Sequence, residues 1–378
     1  MIYLISPVDV FAINGGALVR KMKSFYMMQH NEDVTIVMPG DYNGNEFKVI
    51  CTPSIKFSKI TYILECLGLL EDRSLNWVKS TFKILCRTIT SDDIVFATPG
   101  GEFAPIILGS KLKRKTGCKF VINSHDPLDF TTLGGSLPRK PKFPHVSRDK
   151  CEYKYLTCAD AIITSTKSYR DELRRKYPIL KDKISSCYFG YAYPETPRSN
   201  ELPHGKVLNI VYGGNFGIYQ RPEILAQAVK DNPNVHLYYV GNHKTNRNLD
   251  VFRQETNISF VDLMPQEEYL KFLKETIDVG FLSLKGELAS YCVPSKLYDY
   301  INYTIPIIGV VEGDASKIIK DNGYGVTSDY SVEGVKKAID LIIQPSLYNS
   351  CVNRLVEGHD LWSMYNKVFD ILSIIKAV

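Results

Sequence analysis

The sequence predicts an α/β protein with two doubly wound parallel sheets, and three observations support this prediction. Its 378 residues exceed one ordinary domain, since a domain takes roughly 150 residues. Short apolar runs alternate with longer amphipathic stretches, which is typical of strands that lie between helices. The stretch YAYPETPRSNELPHGK at 191–206 is rich in proline and poor in apolar residues, so it has the composition of a linker between two halves.

Ten apolar runs are the predicted strands of these two sheets. In order along the chain they are Ile2–Ser6, Val34–Met38, Ile94–Ala97, Phe120–Asn123, Ala161–Thr164, Leu208–Tyr212, Leu237–Val240, Ile258–Val261, Val279–Leu282 and Ile305–Val310. Their apolar residues are continuous rather than alternating, which indicates parallel strands covered by helices on both faces. We therefore expect Rossmann-like domains over 1–190 and 207–359, joined by the linker at 191–206.

Composition excludes several classes of protein. No apolar run reaches the roughly 18 residues that a membrane-spanning helix needs. The start, MIYLISPV, lacks the basic region of a signal peptide, so we expect a first strand and a cytoplasmic location. The nine cysteines form no CxxC pair, which favours reduced thiols. The seven dispersed histidines and the lack of an HExxH motif predict no metal site.

Charge is distributed unevenly between the halves. Residues 1–200 carry 29 Lys and Arg against 20 Asp and Glu, whereas the remainder carries 17 against 21. Basic clusters occur at KLKRK (111–115) and PRKPK (138–142). A solvated basic face is the simplest interpretation. The alternative is a peripheral contact with an anionic membrane or an anionic, lipid-linked substrate. Nucleic acid is not expected as a partner, because no recognised binding motif accompanies the charge.

Both halves begin with a strand, a glycine-rich turn and a helix. MIYLIS leads to INGGALVR, and VLNIVY leads to GGNFGIYQRPEIL. Such glycines let backbone N–H groups approach a ligand, and a helix N-terminus favours an anion. The same glycines also suit ordinary tight turns. Neither turn matches GxGxxG, and no GxxxxGK[ST] occurs, so dinucleotide and P-loop sites are disfavoured.

The stretch SKLYDYINYTIPIIG (295–309) predicts a short helix with a polar first turn, followed by a buried strand. Ser295 and Asp299 are four residues apart and share a face, while Leu297 and Ile301 point towards a core. The free N–H groups of the first turn and the Lys296 ammonium suit a diphosphate. Asp299, one turn further, could accept hydrogen bonds from ribose hydroxyls. A capped helix with an exposed Lys–Asp pair remains the alternative.

Five segments, in order, resemble glycosyltransferase family 4, whose members adopt the GT-B fold. VPSKLYDYINYTIPIIG (293–309) resembles the "PSKxYEYxxxGxPII" form of its donor-site motif, found in a branch of bacterial surface-polysaccharide enzymes. NGGALVR (14–20), CADAIITST (158–166), GGNFGIYQ (213–220) and ISFVDLMPQEEYLKFLKETIDVGFLSL (258–284) are similar to the family's other conserved segments. The resemblance implies that 207–359 binds a nucleotide sugar and that a final helix over 360–378 packs back on the first domain.

The resemblance also implies retaining, metal-independent transfer of a sugar from a nucleotide-diphosphate sugar to an acceptor hydroxyl. No cofactor is implied, and no DxD motif occurs in the sequence. His125, or Asp126 beside it, takes the position of the residue that contacts the transferred sugar. The positions implied for donor binding are Gly16, Gly214, Asn215, Arg221, Glu287, Ser295, Lys296 and Asp299. The expected acceptor is a glycan or a lipid-linked glycan, as in the assembly of capsule, O-antigen or exopolysaccharide.

The sequence departs from the family pattern at four positions of the donor site, one of which is Asp299, where the family has a glutamate. The first glutamate of the family's E-x7-E motif falls at Tyr291, and Glu287 is its nearest replacement. The basic pair of the second glycine turn falls at Asn215 and Gln220, which are uncharged. A nucleotide-sugar epimerase and a non-catalytic partner subunit with the same fold therefore remain alternatives.

Overall fold

The chain divides into two compact units. A computed structural model describes residues 1–12, 15–55, 58–128, 148–197, 202, 207–217, 219–286 and 288–378. The first unit comprises residues 1–189 and 364–378, and the second comprises residues 190–363. Among the described residues, no helix combines the length and the apolar character needed to cross a membrane.

The first unit is built on a seven-stranded parallel sheet. Its strands are β1 (Ile2–Ile5), β2 (Val34–Pro39), β3 (Lys48–Thr52), β4 (Ile94–Ala97), β5 (Lys119–Ser124), β6 (Ala161–Thr164) and β7 (Ile184–Ser186). They are arranged in the order β3-β2-β1-β4-β5-β6-β7. The central strand β1 pairs in parallel with both β2 and β4, and its four residues are buried. Helices on both faces account for these uninterrupted apolar sequences.

Seven helices of the described residues accompany this sheet. They are α1 (Gly15–Gln29), α2 (Lys59–Cys66), α3 (Leu75–Leu85), α4 (Ala104–Thr116), α5 (Arg148–Leu156), α6 (Lys167–Lys176) and, from the end of the chain, α13 (Met364–Lys376). Helix α13 contacts α1 and β6 and buries five apolar residues, Met364, Val368, Ile371, Leu372 and Ile375. The last helix therefore contributes to the core of the unit that contains the first strand.

The second unit has a six-stranded parallel sheet. Its strands are β8 (Leu208–Gly214), β9 (Val235–Gly241), β10 (Ile258–Val261), β11 (Val279–Ser283), β12 (Ile307–Val310) and β13 (Gly325–Thr327). They are arranged in the order β10-β9-β8-β11-β12-β13. Counted within the unit this order is 3-2-1-4-5-6, that of the dinucleotide-binding Rossmann fold. In such sheets the ligand site lies at the carboxyl ends of the strands, where the order reverses between β8 and β11.

Helices also flank the second sheet. They are α7 (Glu223–Val229), α8 (Gln266–Thr276), α9 (Ser295–Asn302), α10 (Gly313–Asp321), α11 (Val332–Ile342) and α12 (Pro345–Gly358). Helix α9 starts directly after Pro294, as predicted, and no side chain caps its first turn. It ends before Thr304, whose φ of 50° takes the chain out of the helix towards β12.

The predicted α/β architecture with two doubly wound parallel sheets is confirmed, and each of the ten predicted strands occurs. The last begins at Ile307 rather than at Ile305, because Pro306 has no N–H to donate to a sheet. Three strands were not predicted, namely β3, β7 and β13, and all three lie at the edges of their sheets. The range predicted as a linker, 191–206, belongs to the second unit, which begins at Gly190.

Candidate functional site

In the first unit, Arg20 ties the start of α1 to the carboxyl end of β4. Its side chain is buried, with 4% exposed, and donates hydrogen bonds to the backbone oxygen of Thr98 from Nη2 at 2.7 Å and from Nε at 3.1 Å. Nη1 donates to the oxygen of Gly16 at 3.0 Å. Gly16, a predicted donor-site residue, is exposed in the first turn of α1. Its carbonyl oxygen accepts the hydrogen bond from Arg20.

Glu102 is the carboxylate nearest to Arg20 among its described neighbours. Its Oε1 lies 3.9 Å from Arg20 Nη2 and accepts a hydrogen bond from the backbone N–H of Gly100 at 2.7 Å. Burial raises the pKa of Glu102, while the charge of Arg20 and the bond from Gly100 act in the opposite direction. The edge of this sheet therefore contains a guanidinium and a carboxylate that are close but not in tight contact.

His125 lies immediately after β5 and is fixed by its own backbone. Its N–H donates to the oxygen of Pro99 at 2.9 Å, and its carbonyl accepts from Ser165 Oγ at 2.6 Å. The turn is thereby tied to the ends of both β4 and β6. The ring is buried and packs edge-on against Phe189, with the ring centroids 4.9 Å apart.

The environment of the His125 ring opposes protonation. Burial lowers its pKa well below the usual value, and the nearby charges of Arg20 and Lys23 lower it further. The imidazole is therefore neutral at physiological pH. Asp126, the competing candidate, is half-buried, and its backbone oxygen accepts a hydrogen bond from Ser124 Oγ at 2.7 Å. Of the two predicted residues, His125 is the buried one, and the charge of Asp126 acts on Arg20.

In the second unit, the glycine pair at the end of β8 makes room for two side chains. A Cβ at Gly213 would collide with the hydroxyl of Tyr269. A Cβ at Gly214, whose φ is 102°, would lie 3.1 Å from Lys296 Nζ. These glycines were predicted to admit a ligand to the backbone. A Cβ at either glycine would meet a protein side chain, and one of the two side chains is the predicted diphosphate-binding lysine.

Lys296 is held at this position by an aromatic ring. Its Nζ lies 4.7 Å from the centroid of Tyr212, and the Tyr212 hydroxyl donates to the oxygen of Asn215 at 2.5 Å. Within the described part of the chain, no carboxylate oxygen comes within ion-pair distance of Nζ. Burial lowers the pKa of Lys296 to about 8, and Asp299 acts in the opposite direction. The residue is therefore a partly buried, mainly protonated cation.

Asp299 lies one turn further along α9 and is half-buried. Burial raises its pKa to about 7, although the charge of Lys296 lowers it. Ser295 is the exposed first residue of the helix, and Leu297 and Ile301 are fully buried on the opposite face. The predicted arrangement of α9 is present: Ser295 and Asp299 lie one turn apart, outside the core, and Leu297 and Ile301 lie within it.

Arg221 belongs to a second group of side chains. Its guanidinium lies 4.9 Å from the ring centroid of Tyr330, and its Nε is 3.3 Å from a carboxylate oxygen of Glu223. Lys285 Nζ lies over the same tyrosine ring at 4.5 Å. Arg221, which follows β8, and Lys285, which follows β11, therefore both lie over the ring of Tyr330. Glu287, which was also predicted as a donor contact, lies outside the described residues.

Several residues of these groups were not predicted from the sequence. They are Arg20, Lys23, Tyr212, Tyr269 and Lys285. The first two had a detectable signal, because they occur at buried positions of an amphipathic helix, next to Ala17, Ser24 and Met27. No comparable signal marks the two tyrosines, since a tyrosine in a strand or helix is usually a core residue. Among the described residues, no group of three or more potential ligands could hold a metal ion.

No protein-family model and no curated protein matches the sequence. Solved structures do match over the whole length. HepE of Anabaena, in a complex with UDP and glucose, has a TM-score of 0.69 at 10% identity, with 100% of this chain and 99% of that chain covered. Sucrose-phosphate synthase from Thermosynechococcus elongatus has a TM-score of 0.71 at 14% identity, with coverages of 100% and 98%.

WaaG, described as a glycosyltransferase involved in lipopolysaccharide biosynthesis, has a TM-score of 0.67 at 14% identity, with 98% of this chain and 99% of that chain covered. At these identities the similarity establishes the fold. The two parallel sheets, their strand orders and these three full-length structural matches agree, and the chain therefore has the GT-B fold.

Proposed function

We propose that the protein is a glycosyltransferase that moves a sugar from a nucleoside-diphosphate sugar to an acceptor hydroxyl, with retention of configuration and without a metal ion. The observation that carries the proposal is the position of Lys296. Its ammonium lies beside Gly214 at the carboxyl edge of the second sheet, without a carboxylate partner among the described residues. A partly buried cation without a partner is costly unless an anion completes the site.

Three features at this edge match the parts of a nucleoside diphosphate. The first turn of α9 has no side-chain cap, so its N–H groups and Lys296 can bind the diphosphate. Asp299, one turn deeper, can accept hydrogen bonds from the vicinal hydroxyls of a ribose. The strand order of the second sheet reverses at β8. Nucleotides bind to such sheets at the carboxyl ends of the strands beside the reversal, which supports a nucleotide site next to Gly214. The UDP and glucose bound to HepE of Anabaena, which has the same fold, support the same class of ligand.

The proposed chemistry is mainly electrostatic. As the glycosidic bond breaks, negative charge develops on the leaving diphosphate, and Lys296 with the α9 N–H groups stabilises that charge. Such groups are already oriented in the folded protein, so little reorganisation is needed during the reaction. The departing diphosphate can take the proton of the acceptor hydroxyl. His125 would contact the transferred sugar as a neutral hydrogen-bonding group, because its pKa lies well below the usual range.

The acceptor and pathway are the finer part of the proposal. We infer a glycan or lipid-linked glycan acceptor, in the assembly of a bacterial surface polysaccharide. The excess of basic residues over 1–200 supports an anionic acceptor or a peripheral contact with an anionic membrane. The likeness to WaaG, which acts in lipopolysaccharide biosynthesis, supports the same interpretation.

Substitution of Lys296 tests the proposal directly. Nucleoside diphosphates are first screened by thermal shift, since a ligand that binds the folded state raises the melting temperature. Release of the matching diphosphate from its sugar donors is then measured with lipid-linked acceptors. We expect Lys296→Ala to reduce kcat/KM by about 100-fold, the usual cost of removing one group that stabilises developing charge.

Lys337→Ala is the matched control, because Lys337 is an exposed lysine on α11 of the same unit. It should retain the activity and the thermal shift of the unaltered protein. Equal activity of Lys296→Ala and Lys337→Ala would show that the site is misplaced. Binding of a nucleotide without turnover of any donor would favour the non-catalytic alternative.

A further inference from the structure

Lys23 is a buried cation in the first unit without an obvious structural purpose. It lies on α1, one turn after Arg20, with only 1% of its side chain exposed. Its amino group donates a hydrogen bond to Oδ1 of Asn123, on β5. Its Nζ also lies 3.4 Å from Nε2 of His125. The rest of its surroundings are aromatic, with the ring centroid of Phe189 at 5.3 Å.

Burial of this ammonium is energetically unfavourable. Within the described part of the chain, no carboxylate oxygen lies within ion-pair distance of Lys23. Desolvation lowers the pKa of Lys23 to about 7; a negative charge on Cys187 acts to raise it, and Arg20 lowers it. A methionine of similar length would fill the same space without this cost. The presence of a lysine therefore requires a reason beyond packing.

The hydrogen-bonding chemistry of the group supplies such a reason. A lysine ammonium has three N–H donors and no acceptor, so Nε2 of His125 must act as the acceptor in this contact. A neutral imidazole that accepts at Nε2 carries its proton at Nδ1. A neutral amine keeps two N–H groups, one for Asn123 and one for His125. Donors for both contacts are therefore available on both sides of the lysine titration.

We propose that Lys23 is a positioning residue that fixes His125 as the neutral Nδ1–H tautomer. His125 then presents a hydrogen-bond donor to the transferred sugar and does not exchange a proton with it. The assignment of the tautomer stands on the geometry of the first unit alone. The role towards the sugar rests on the proposed glycosyltransferase function.

Other titratable groups face this pair from several elements. Arg20 faces it from α1 and is itself near Glu102. Cys187, which follows β7, faces Lys23, and burial raises the pKa of its thiol to about 11. Lys367 and Asp370 on α13 act on Cys187 with opposite signs. Since the thiol is protonated at physiological pH, no permanent negative charge offsets the charge on Lys23 from that side.

Nitrogen-15 NMR of histidine-labelled protein tests the tautomer without donor or acceptor. The signals of His125 are assigned by their loss in His125→Gln. We expect a pyrrole-type shift at Nδ1 and a pyridine-type shift at Nε2, both unchanged between pH 5.5 and 8.5. An Nε2–H tautomer in the unaltered protein would overturn the proposal, and His125→Gln serves only to assign the signals.

Three substitutions then separate the hydrogen bond from the charge. Lys23→Met should shift His125 towards the Nε2–H tautomer, while burial and Arg20 still hold the pKa of His125 below its usual value. Lys23→Gln keeps an N–H donor without the charge and should preserve the Nδ1–H form. Lys21→Met is the control, because Lys21 lies on the same helix but over the ring of Phe11. It should change neither the tautomer nor the pKa of His125. An unchanged tautomer in Lys23→Met would contradict the proposal.

Kinetics test the second part separately. If the protein transfers sugar, Lys23→Met should lower kcat by about 10-fold or more with little change in KM, the pattern of a lost transition-state contact. Lys23→Gln should recover much of that loss. Full activity in Lys23→Met would remove the catalytic part of the proposal. A lack of any transferase activity in the unaltered protein would overturn the proposed function, while the NMR result would still decide the tautomer.

Discussion

At the scale of single residues, Lys296 and Asp299 form an unusual pair. They lie one turn apart on α9 and attract each other, but their charged atoms are not within ion-pair distance. Burial moves the two pKa values towards each other, to about 8 for Lys296 and about 7 for Asp299. Both charges are therefore held at an energetic cost in the free protein. A bound ligand with a negative diphosphate and ribose hydroxyls would compensate for both.

The cost of the Asp299 charge predicts a change in stability with pH. A carboxyl whose pKa rises from 3.8 in the unfolded chain to about 7 binds its proton more tightly when folded. Its contribution to the free energy of unfolding therefore falls as pH rises from about 4 to about 7. Asp299→Asn removes that loss and should stabilise the protein by about 1 kcal/mol at pH 7.5, or about 2–4 °C in Tm.

Thermal denaturation at pH 4.5 and pH 7.5 checks this expectation. At pH 4.5 the variant and the unaltered protein should melt within a degree of each other, because Asp299 is protonated in the folded state. Asp340→Asn serves as the control, because Asp340 is an exposed carboxylate on α11. Its Tm should match that of the unaltered protein at both pH values. The same difference in Tm at both pH values for Asp299→Asn would show that its charge is not the cause.

Sequence patterns predicted the side chains that project from recognisable motifs, and not those that surround them. The positions of Lys296 and Asp299 follow from one helical turn that begins after Pro294. The ring of Tyr212 beneath Lys296 and the hydroxyl of Tyr269 above Gly213 depend on tertiary packing, which has no signature in local sequence. Thr304 illustrates a different limit, because it stands where the motif has glycine and still adopts a φ of 50°.

At the scale of elements, α9 is held against β11 by the contact of one ring with one glycine. The ring of Tyr300 lies on the backbone of Gly280, and a Cβ there would overlap it. The Tyr300 hydroxyl is 3.4 Å from the oxygens of Val211 and Phe281 and is fully buried with its ring. This contact sets the distance of α9 from the sheet and hence the height of Lys296 above the strand ends.

Gly280→Ala is therefore expected to displace α9. We expect a loss of about 1–3 kcal/mol in the free energy of unfolding, as is usual for overpacking of a core. The melting temperature measures this loss. The thermal shift caused by a nucleoside diphosphate should also decrease, because Lys296 moves with α9. Because the alanine methyl collides with Tyr300, Tyr300→Leu should relieve the strain.

A double-mutant cycle provides the control for this prediction. Gly280→Ala combined with Tyr300→Leu should be less destabilised than the sum of the two single variants, by about 1 kcal/mol or more. Additive effects would mean that the methyl group and the ring do not compete for space.

The three strands that were not predicted from the sequence were missed for the same physical reason. The strands β3, β7 and β13 lie at the edges of their sheets. Such strands pair on one side only and can be short and partly exposed, so they lack a continuous apolar run. In β3 only the last residue, Thr52, is buried. Nine of the ten recognised strands lie inside their sheets, where helices cover both faces and favour an apolar sequence. The tenth, β10, lies at an edge and was recognised by its largely apolar run.

At the scale of the whole molecule, the two units have sheets that begin with the same strand order. The first sheet places its strands in the order 3-2-1-4, as does the second. Alternation of strand and helix predicted this architecture, because parallel strands need crossover helices and these are right-handed. The exact limits of the units were less predictable, since they depend on α13, which is distant in sequence from the rest of its unit.

Removal of residues 364–378 tests the contribution of α13. Its five buried apolar residues stabilise the first unit by on the order of 5–10 kcal/mol, which is comparable to the stability of a whole domain. We therefore expect the truncated chain to lose the thermal transition of the first unit. The transition of residues 190–363 should persist and still respond to a nucleotide diphosphate.

Truncation of Ala377 and Val378 alone is the control, because these residues follow α13. That chain should melt like the full one. A complete truncation that retains both transitions would show that α13 is dispensable for the core of the first unit.

The dependence of the first unit on α13 has a consequence for synthesis on the ribosome. Residues 1–189 emerge first, but the surface of α1 that α13 covers stays exposed until residues 364–376 have been made. At about 5–20 residues per second this takes at least several seconds. The second unit is continuous in sequence, so it can complete its fold before the first. The half that is translated first is thus the last to mature.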